Sequence, residues 1–215
     1  NGTSLSENQT WQNNLTAVEW GSSALGDIDN DGDLDLALSG CTDITDSLGG
    51  SCNGDIISKI YINNGTSLVE NSFWQENLTQ IFNPSLYLSD INNDGKLDLI
   101  INGLTSSSII SKIYINNGTS LVENSQWQSN LTGVYEGQIS LGDIDNDGDL
   151  DLVLTGDKGS VTDYTNFYIN NGTSFVESSQ WNQNLIYMDR SSSAFGNYNN
   201  DEYLDLMICG HTNGD

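Results

Sequence analysis

Gly142-Asp143-Ile144-Asp145-Asn146-Asp147-Gly148-Asp149-Leu150-Asp151-Leu152 sets an acid at every second residue from 143 to 151, with Gly148 at the sixth place counted from Asp143. Asp143, Asp145, Asp147 and Asp151 then hold loop positions 1, 3, 5 and 9. Carboxylates this close repel one another unless a cation sits among them. Calcium is the expected cation, because it takes roughly six to eight hard oxygen ligands in a flexible shell. Gly148 permits a sharp turn, so the position-7 carbonyl of Asp149 can point inward as a further ligand.

The stretch occurs four times. The first copy offers Asp27, Asp29, Asp31, Asp33 (by its carbonyl) and Asp35. The second offers Asp90, Asn92, Asp94, Lys96 (carbonyl) and Asp98. The fourth is degenerate, with Asn197, Asn199, Asp201, Tyr203 (carbonyl) and Asp205, and Glu202 where glycine is expected. An EF-hand would place a bidentate Glu at position 12 and helices on both sides. Leu38, Ile101, Leu154 and Ile208 stand there instead, each inside an apolar run, so the loop leads into a strand. A plain acidic turn needs no metal, since Asn-Asp-Gly is itself a turn signal. Four copies in register, with carboxylates held at odd positions, favour the metal reading.

Charge and composition narrow the function classes. Thirty acidic residues face five Lys plus Arg, for a net charge of −25. Nucleic acid and anionic membranes need basic patches, so neither is an expected partner. Sixteen of the acids lie in the four loops, five in each of the first and third and three in each of the others. The acidity therefore reads as metal-site chemistry. No apolar run is long enough to span a bilayer, and no signal peptide is visible, although the chain opens in mid-pattern. Cys41 and Cys52 bracket a Gly-, Ser- and Asp-rich insertion, and a disulfide closing it would suit an oxidising compartment; two free thiols are the alternative. Cys209 is then left over.

Asn-Gly-Thr-Ser recurs at Asn1, Asn64, Asn117 and Asn171, which divides the chain into repeats 1–63, 64–116, 117–170 and a shorter 171–215. Each unit supplies about four strands: one before the acidic loop, one after it, and a hairpin pair around Asn-Gly. The Asn-Gly turns are expected as type I′, which needs positive φ at both central residues. Four strands per unit is the pattern of a propeller blade. Trp11, Trp74, Trp127 and Trp181 recur after the outer strand and read as packing between blades, with a carbohydrate-stacking platform as the alternative.

These residues resemble the FG-GAP/VCBS repeats of integrin-α-like β-propellers: the acidic loop, a following strand, then Tyr-Ile-Asn-Asn-Gly. The resemblance covers essentially the whole chain. It implies an all-β propeller of four-stranded antiparallel blades with calcium in each blade loop, sites one and three strongest and site four weakest. Rings of this family are commonly larger than four blades, so the chain is part of a ring or an unusually small one. The segment around residues 1–7 is expected to complete the last blade of its own chain or to add to a neighbouring one.

Eight Asn-x-Ser/Thr sequons stand at Asn1, Asn8, Asn14, Asn64, Asn77, Asn117, Asn130 and Asn171, and glycosylation of some of them would suit an extracellular protein. Catalytic constellations are nearly absent. His211 is the lone histidine, and Glu19, Glu136 and Asp189, on the approaches to the inner strands, are the acids least committed to metal. The expected role is structural or adhesive and extracellular. Partners would be a second copy of the chain or another surface protein or glycan. A carbohydrate-active enzyme or lectin on the same scaffold is the alternative.

Overall fold

The computed structural model describes residues 7–43, 52–160, 162–183 and 185–212. Its elements in chain order are α1 (Gln9–Gln12), β1 (Glu19–Gly26), β2 (Asp35–Cys41), β3 (Ile56–Asn63), β4 (Leu68–Glu70), α2 (Ser72–Gln75), β5 (Phe82–Ser89), β6 (Asp98–Leu104), β7 (Ile109–Asn116), β8 (Leu121–Glu123), β9 (Ile139–Gly142), β10 (Asp151–Asp157), β11 (Asp163–Asn170), β12 (Phe175–Glu177), β13 (Asp189–Gly196) and β14 (Asp205–His211). They form three four-stranded antiparallel sheets, β1-β2-β3-β4, β5-β6-β7-β8 and β9-β10-β11-β12, and a two-stranded sheet β13-β14. This is the blade architecture of a β-propeller. The innermost strands β1, β5, β9 and β13 touch in sequence, blade to blade.

Blades and sequence repeats are out of phase. The repeat boundary falls in the Asn-Gly turn between the third and fourth strands, so β4, at the edge of the first sheet, belongs to the second repeat. That turn is not type I′. Asn63 pairs with Leu68, leaving a four-residue loop in which only Gly65 takes positive φ (80°). Asn64 keeps an ordinary φ because its Oδ1 accepts hydrogen bonds from the Thr66 and Ser67 amides (3.0 and 2.9 Å), an Asx turn. The side chains of Asn117 and Asn171 do the same.

Packing follows the strand pattern. Central strands are buried on both faces, and β10 is buried along its whole length. Ile28, Ala37 and Ile60 of the first blade join Trp74, Leu86 and Tyr114 of the second in one core. A second core joins Ile91 and Ile113 to Trp127, Leu154 and Phe175. Trp74 and Trp127 are each 6% exposed, and Trp127 meets Phe175 edge-on at 5.5 Å between ring centroids. They are wedges between blades rather than sugar platforms. Trp181 is 37% exposed and lies 6.2 Å, between ring centroids, from Phe167 of β11.

The residue after each of Trp74, Trp127 and Trp181 finishes the sheet. β4, β8 and β12 are three residues long and leave part of β3, β7 and β11 without a backbone partner. Gln75 Oε1 accepts from the Ile60 amide, Gln128 Oε1 from Ile113, and Asn182 Oδ1 from Phe167 (3.1, 3.0 and 2.7 Å). A side-chain amide thus continues the ladder that the short strand abandons.

Three of the sequons carry a structural job. Asn14 and Asn130 donate through Nδ2 to the carbonyls of Leu68 and Phe175 (3.1 and 2.9 Å). The Thr16 and Thr79 hydroxyls accept from the buried phenols Tyr61 and Tyr114 (3.0 and 2.9 Å), and Thr132 Oγ1 accepts from Tyr164 (3.0 Å). Asn-Leu-Thr at 14, 77 and 130 is therefore the segment that clasps the next inner strand to the outer part of a sheet. Asn8 caps α1 through its side chain. Asn64, Asn77, Asn117 and Asn171 are exposed, and Asn1 lies outside the described residues.

Cys41 and Cys52 are disulfide-bonded, with 5.7 Å between their Cα atoms. Cys209 is a free, exposed thiol. Residues 44–51 within the insertion, and residues 1–6 of the segment expected to complete a blade, lie outside the described residues. Among the described residues no helix is long and apolar enough to cross a membrane.

Candidate metal centre in the blade loops

Each acidic loop joins the innermost strand of a blade to the second. In the first, Asp27 accepts through Oδ1 and Oδ2 from the amides of Asp31 and Gly32 (3.0 and 2.9 Å). Asp35 opens β2 fully buried, with Oδ2 accepting from Ile28 N and Oδ1 from Asn63 N (both 2.8 Å). Asp98 and Asp151 repeat this bracing through Ile91 and Asn116, and through Ile144 and Asn170. The position-9 acid therefore ties its loop to the third strand of the blade. Gly32, Gly95 and Gly148 take φ of 97°, 83° and 97°, and the fourth loop forces φ of 77° on Glu202, at a cost of about 1 kcal/mol or more for an L residue.

The loops bring together positions 1, 3 and 9. Carboxylate oxygens of Asp27, Asp29 and Asp35 lie within 4.8 Å of one another, as do those of Asp143, Asp145 and Asp151. Among the described residues Asp29 Oδ1 is buried with no hydrogen-bond partner, a position that strongly disfavours an anion without a cation. A cluster of hard oxygens with an orphaned acceptor fits a metal ion. At position 5, Asp31 and Asp147 accept through Oδ1 from the amides of Asp33 and Asp149 (both 2.9 Å).

The second and fourth loops differ chemically. In the second, Asn92 replaces an acid and accepts from Asp94 N (3.0 Å), while Lys96 Nζ sits 3.1 Å from Asp94 Oδ2 as an internal cation. In the fourth, Asn199 Nδ2 donates to Asp201 Oδ2 (3.0 Å). Asp205 still accepts from Tyr198 N (3.0 Å) but is only half-buried.

The loops are also stitched to one another. Asn116 Nδ2 donates to the Ile28 carbonyl in the loop of the preceding blade (2.8 Å), and Asn170 Nδ2 to that of Ile91 (2.9 Å). Asn30 reaches the Gly95 carbonyl and Asn93 reaches Asp149 Oδ1 (3.2 and 2.7 Å). The partners of these asparagines are 56 to 88 residues away.

Burial raises the pKa of Asp98 and Asp151 to about 6, against hydrogen bonds that lower it. Asp29 and Asp35 are also raised, first by burial; neighbouring carboxylates add to it. The folded state then binds these protons more tightly than the unfolded chain, so stability falls as pH rises from about 4 through about 6. For Asp98 and Asp151 the rise to about 6 corresponds to roughly 2–3 kcal/mol each. In chelator, the melting temperature is expected to rise when pH drops from 7.5 to 5.5. In saturating calcium the order should reverse, because metal and protons compete for the same carboxylates. Melts at both pH values check it. The lowered Glu70 and Glu123 act oppositely but titrate below the usual 4.5.

The FG-GAP-like repeat model matches the chain twice, over residues 90–154 and 143–208. Among solved structures, the chain is similar to an Agrocybe aegerita lectin described for specific recognition of non-reducing terminal N-acetylglucosamine. The two are 18% identical with a TM-score of 0.53, over 88% of this chain and 47% of the lectin chain. The chain thus spans about half the length of that lectin, and at this identity the likeness shows the fold alone.

Proposed function

We propose a binding rather than a catalytic role for this chain, which belongs to the FG-GAP-like repeat family. The proposed protein is an extracellular, calcium-braced propeller module that attaches its owner to a glycan-bearing partner. The observation that carries the calcium reading is the buried Asp29 Oδ1, without a hydrogen-bond partner among the described residues, beside Asp27 and Asp35. Calcium at sites one and three would supply charge neutralisation and fix the turn between first and second strands. Asp27, Asp29 and Asp35, and Asp143, Asp145 and Asp151, are the side chains that would hold it. The Cys41–Cys52 disulfide supports an oxidising, extracellular setting. Likeness of fold to a lectin supports a glycan as partner.

The test is binding to a panel of immobilised glycans ending in N-acetylglucosamine, galactose, glucose or mannose, in millimolar calcium and then in chelator. Binding that disappears on chelation and returns with calcium is the expected result. Binding indifferent to chelator would remove the metal from the role, and no binding anywhere on the panel would remove the glycan.

A further inference from the structure

The strongest irregularity in the molecule lies away from the acidic loops, at the other end of the innermost strands. Trp20, Asn83, Glu136 and Arg190 occupy equivalent places in the four blades, just where each chain turns into its inner strand. All four have left-handed backbone, with φ of 44°, 49°, 51° and 43°. In the first, second and fourth blades they sit on the bulges between Glu19 and Ser22, Phe82 and Ser85, and Asp189 and Ser192. Bulges re-aim side chains and recur beside functional sites.

Two features set this position apart. Left-handed φ suits Gly or Asn, and for bulky residues it is a genuine outlier held by its surroundings. Only the second blade uses Asn. The frame that imposes the conformation is tight: a Cβ on Gly137, the next residue, would lie 1.8 Å from the Thr155 carbonyl oxygen. The loops, wedges and clasps keep recognisable residue types across the first three blades, yet here the four blades install an indole, an amide, a carboxylate and a guanidinium. The four side chains line one concavity of about 220 Å³. It shares residues with a larger channel of about 560 Å³ between the inner strands.

Resting on the glycan reading above, we infer that this channel mouth is the binding site, and that it takes a single neutral sugar residue at the end of a glycan. The indole of Trp20 offers a flat apolar face, while Asn83, Glu136 and Arg190 supply donors and acceptors around it. Both are needed for a ring whose faces are apolar and whose rim is hydroxylated. Arg190 Nε donates to Glu136 Oε2 at 3.0 Å, with the Arg190 side chain 66% exposed. An anionic ligand would have to displace Glu136 from that pair, within a chain of net charge −25, whereas hydroxyls can bridge the pair intact. The volume falls below the roughly 300–1,000 Å³ of sites for larger molecules, which limits the ligand to one ring.

The test uses Trp20→Asn and Arg190→Asn, because Asn83 shows that the blade frame accepts asparagine at this backbone. Both variants should melt like the wild type in calcium. On the same glycan panel each should bind the wild type's best ligand about tenfold or more weakly. Adding that sugar should change the tryptophan fluorescence of the wild type and not that of Trp20→Asn. Wild-type binding with both variants unimpaired would place the site elsewhere and overturn this inference while leaving the glycan reading intact. No binding by the wild type would overturn both. Arg190 is exposed, so its variant decides the matter even if the Trp20 change disturbs folding.

Discussion

Adding a chelator to the calcium-loaded protein is expected to lower its melting temperature by roughly 10–20 °C. Two strong sites held at 100 times their dissociation constant contribute about 2.7 kcal/mol each. For a domain of this size, each kcal/mol moves the midpoint by about 2–4 °C. Restoring calcium should restore the midpoint, whereas magnesium should do so poorly, since it demands a stricter octahedral shell. Differential scanning calorimetry measures the shift. An unchanged midpoint would mean that the clustered carboxylates at Asp27, Asp29 and Asp35 are tolerated without metal.

Asp151→Ala should destabilise the fold by about 3–5 kcal/mol even in the presence of chelator. Both oxygens of Asp151 accept from backbone amides, Ile144 and Asn170, in a site with no solvent exposure. Truncation strands two buried donors, at about 1–3 kcal/mol each. Asp147→Ala in the same loop is the control: its exposed Oδ1 accepts from Asp149 N alone, and the expected loss without calcium is below about 1 kcal/mol. Urea unfolding of both variants in chelator separates the bracing role from the metal role. Equal losses would show that position 9 is merely another ligand.

Much of this architecture was legible in the sequence, because strands and acidic loops are local signals. Leu150-Asp151-Leu152-Val153-Leu154 announces a doubly covered strand, and it is one. The clustering at sites one and three follows from the density of Asp in those loops. What escaped depends on distant partners. Nothing near Asn14 says that its amide meets Leu68, or that Thr16 receives the Tyr61 hydroxyl, so Asn-Leu-Thr read only as a sequon. Asn-Gly predicts a type I′ turn, but Asn64 bonds forward to Thr66 and Ser67 instead of adopting positive φ. The channel mouth was only half visible. Glu136 stood out as uncommitted, but Trp20, Asn83 and Arg190 share no residue type, and their equivalence shows only in the backbone.

The phase offset between repeats and blades sets how such a chain can lengthen. A copying event that begins and ends at the Asn-Gly turn inserts the outer strand of one blade together with three strands of the next. Every duplicate therefore arrives already hydrogen-bonded to its predecessor, as β4 is to β3. The join falls in an exposed hairpin, where insertion disturbs least. The array can gain or shed a blade without ever passing through a chain that contains a severed sheet.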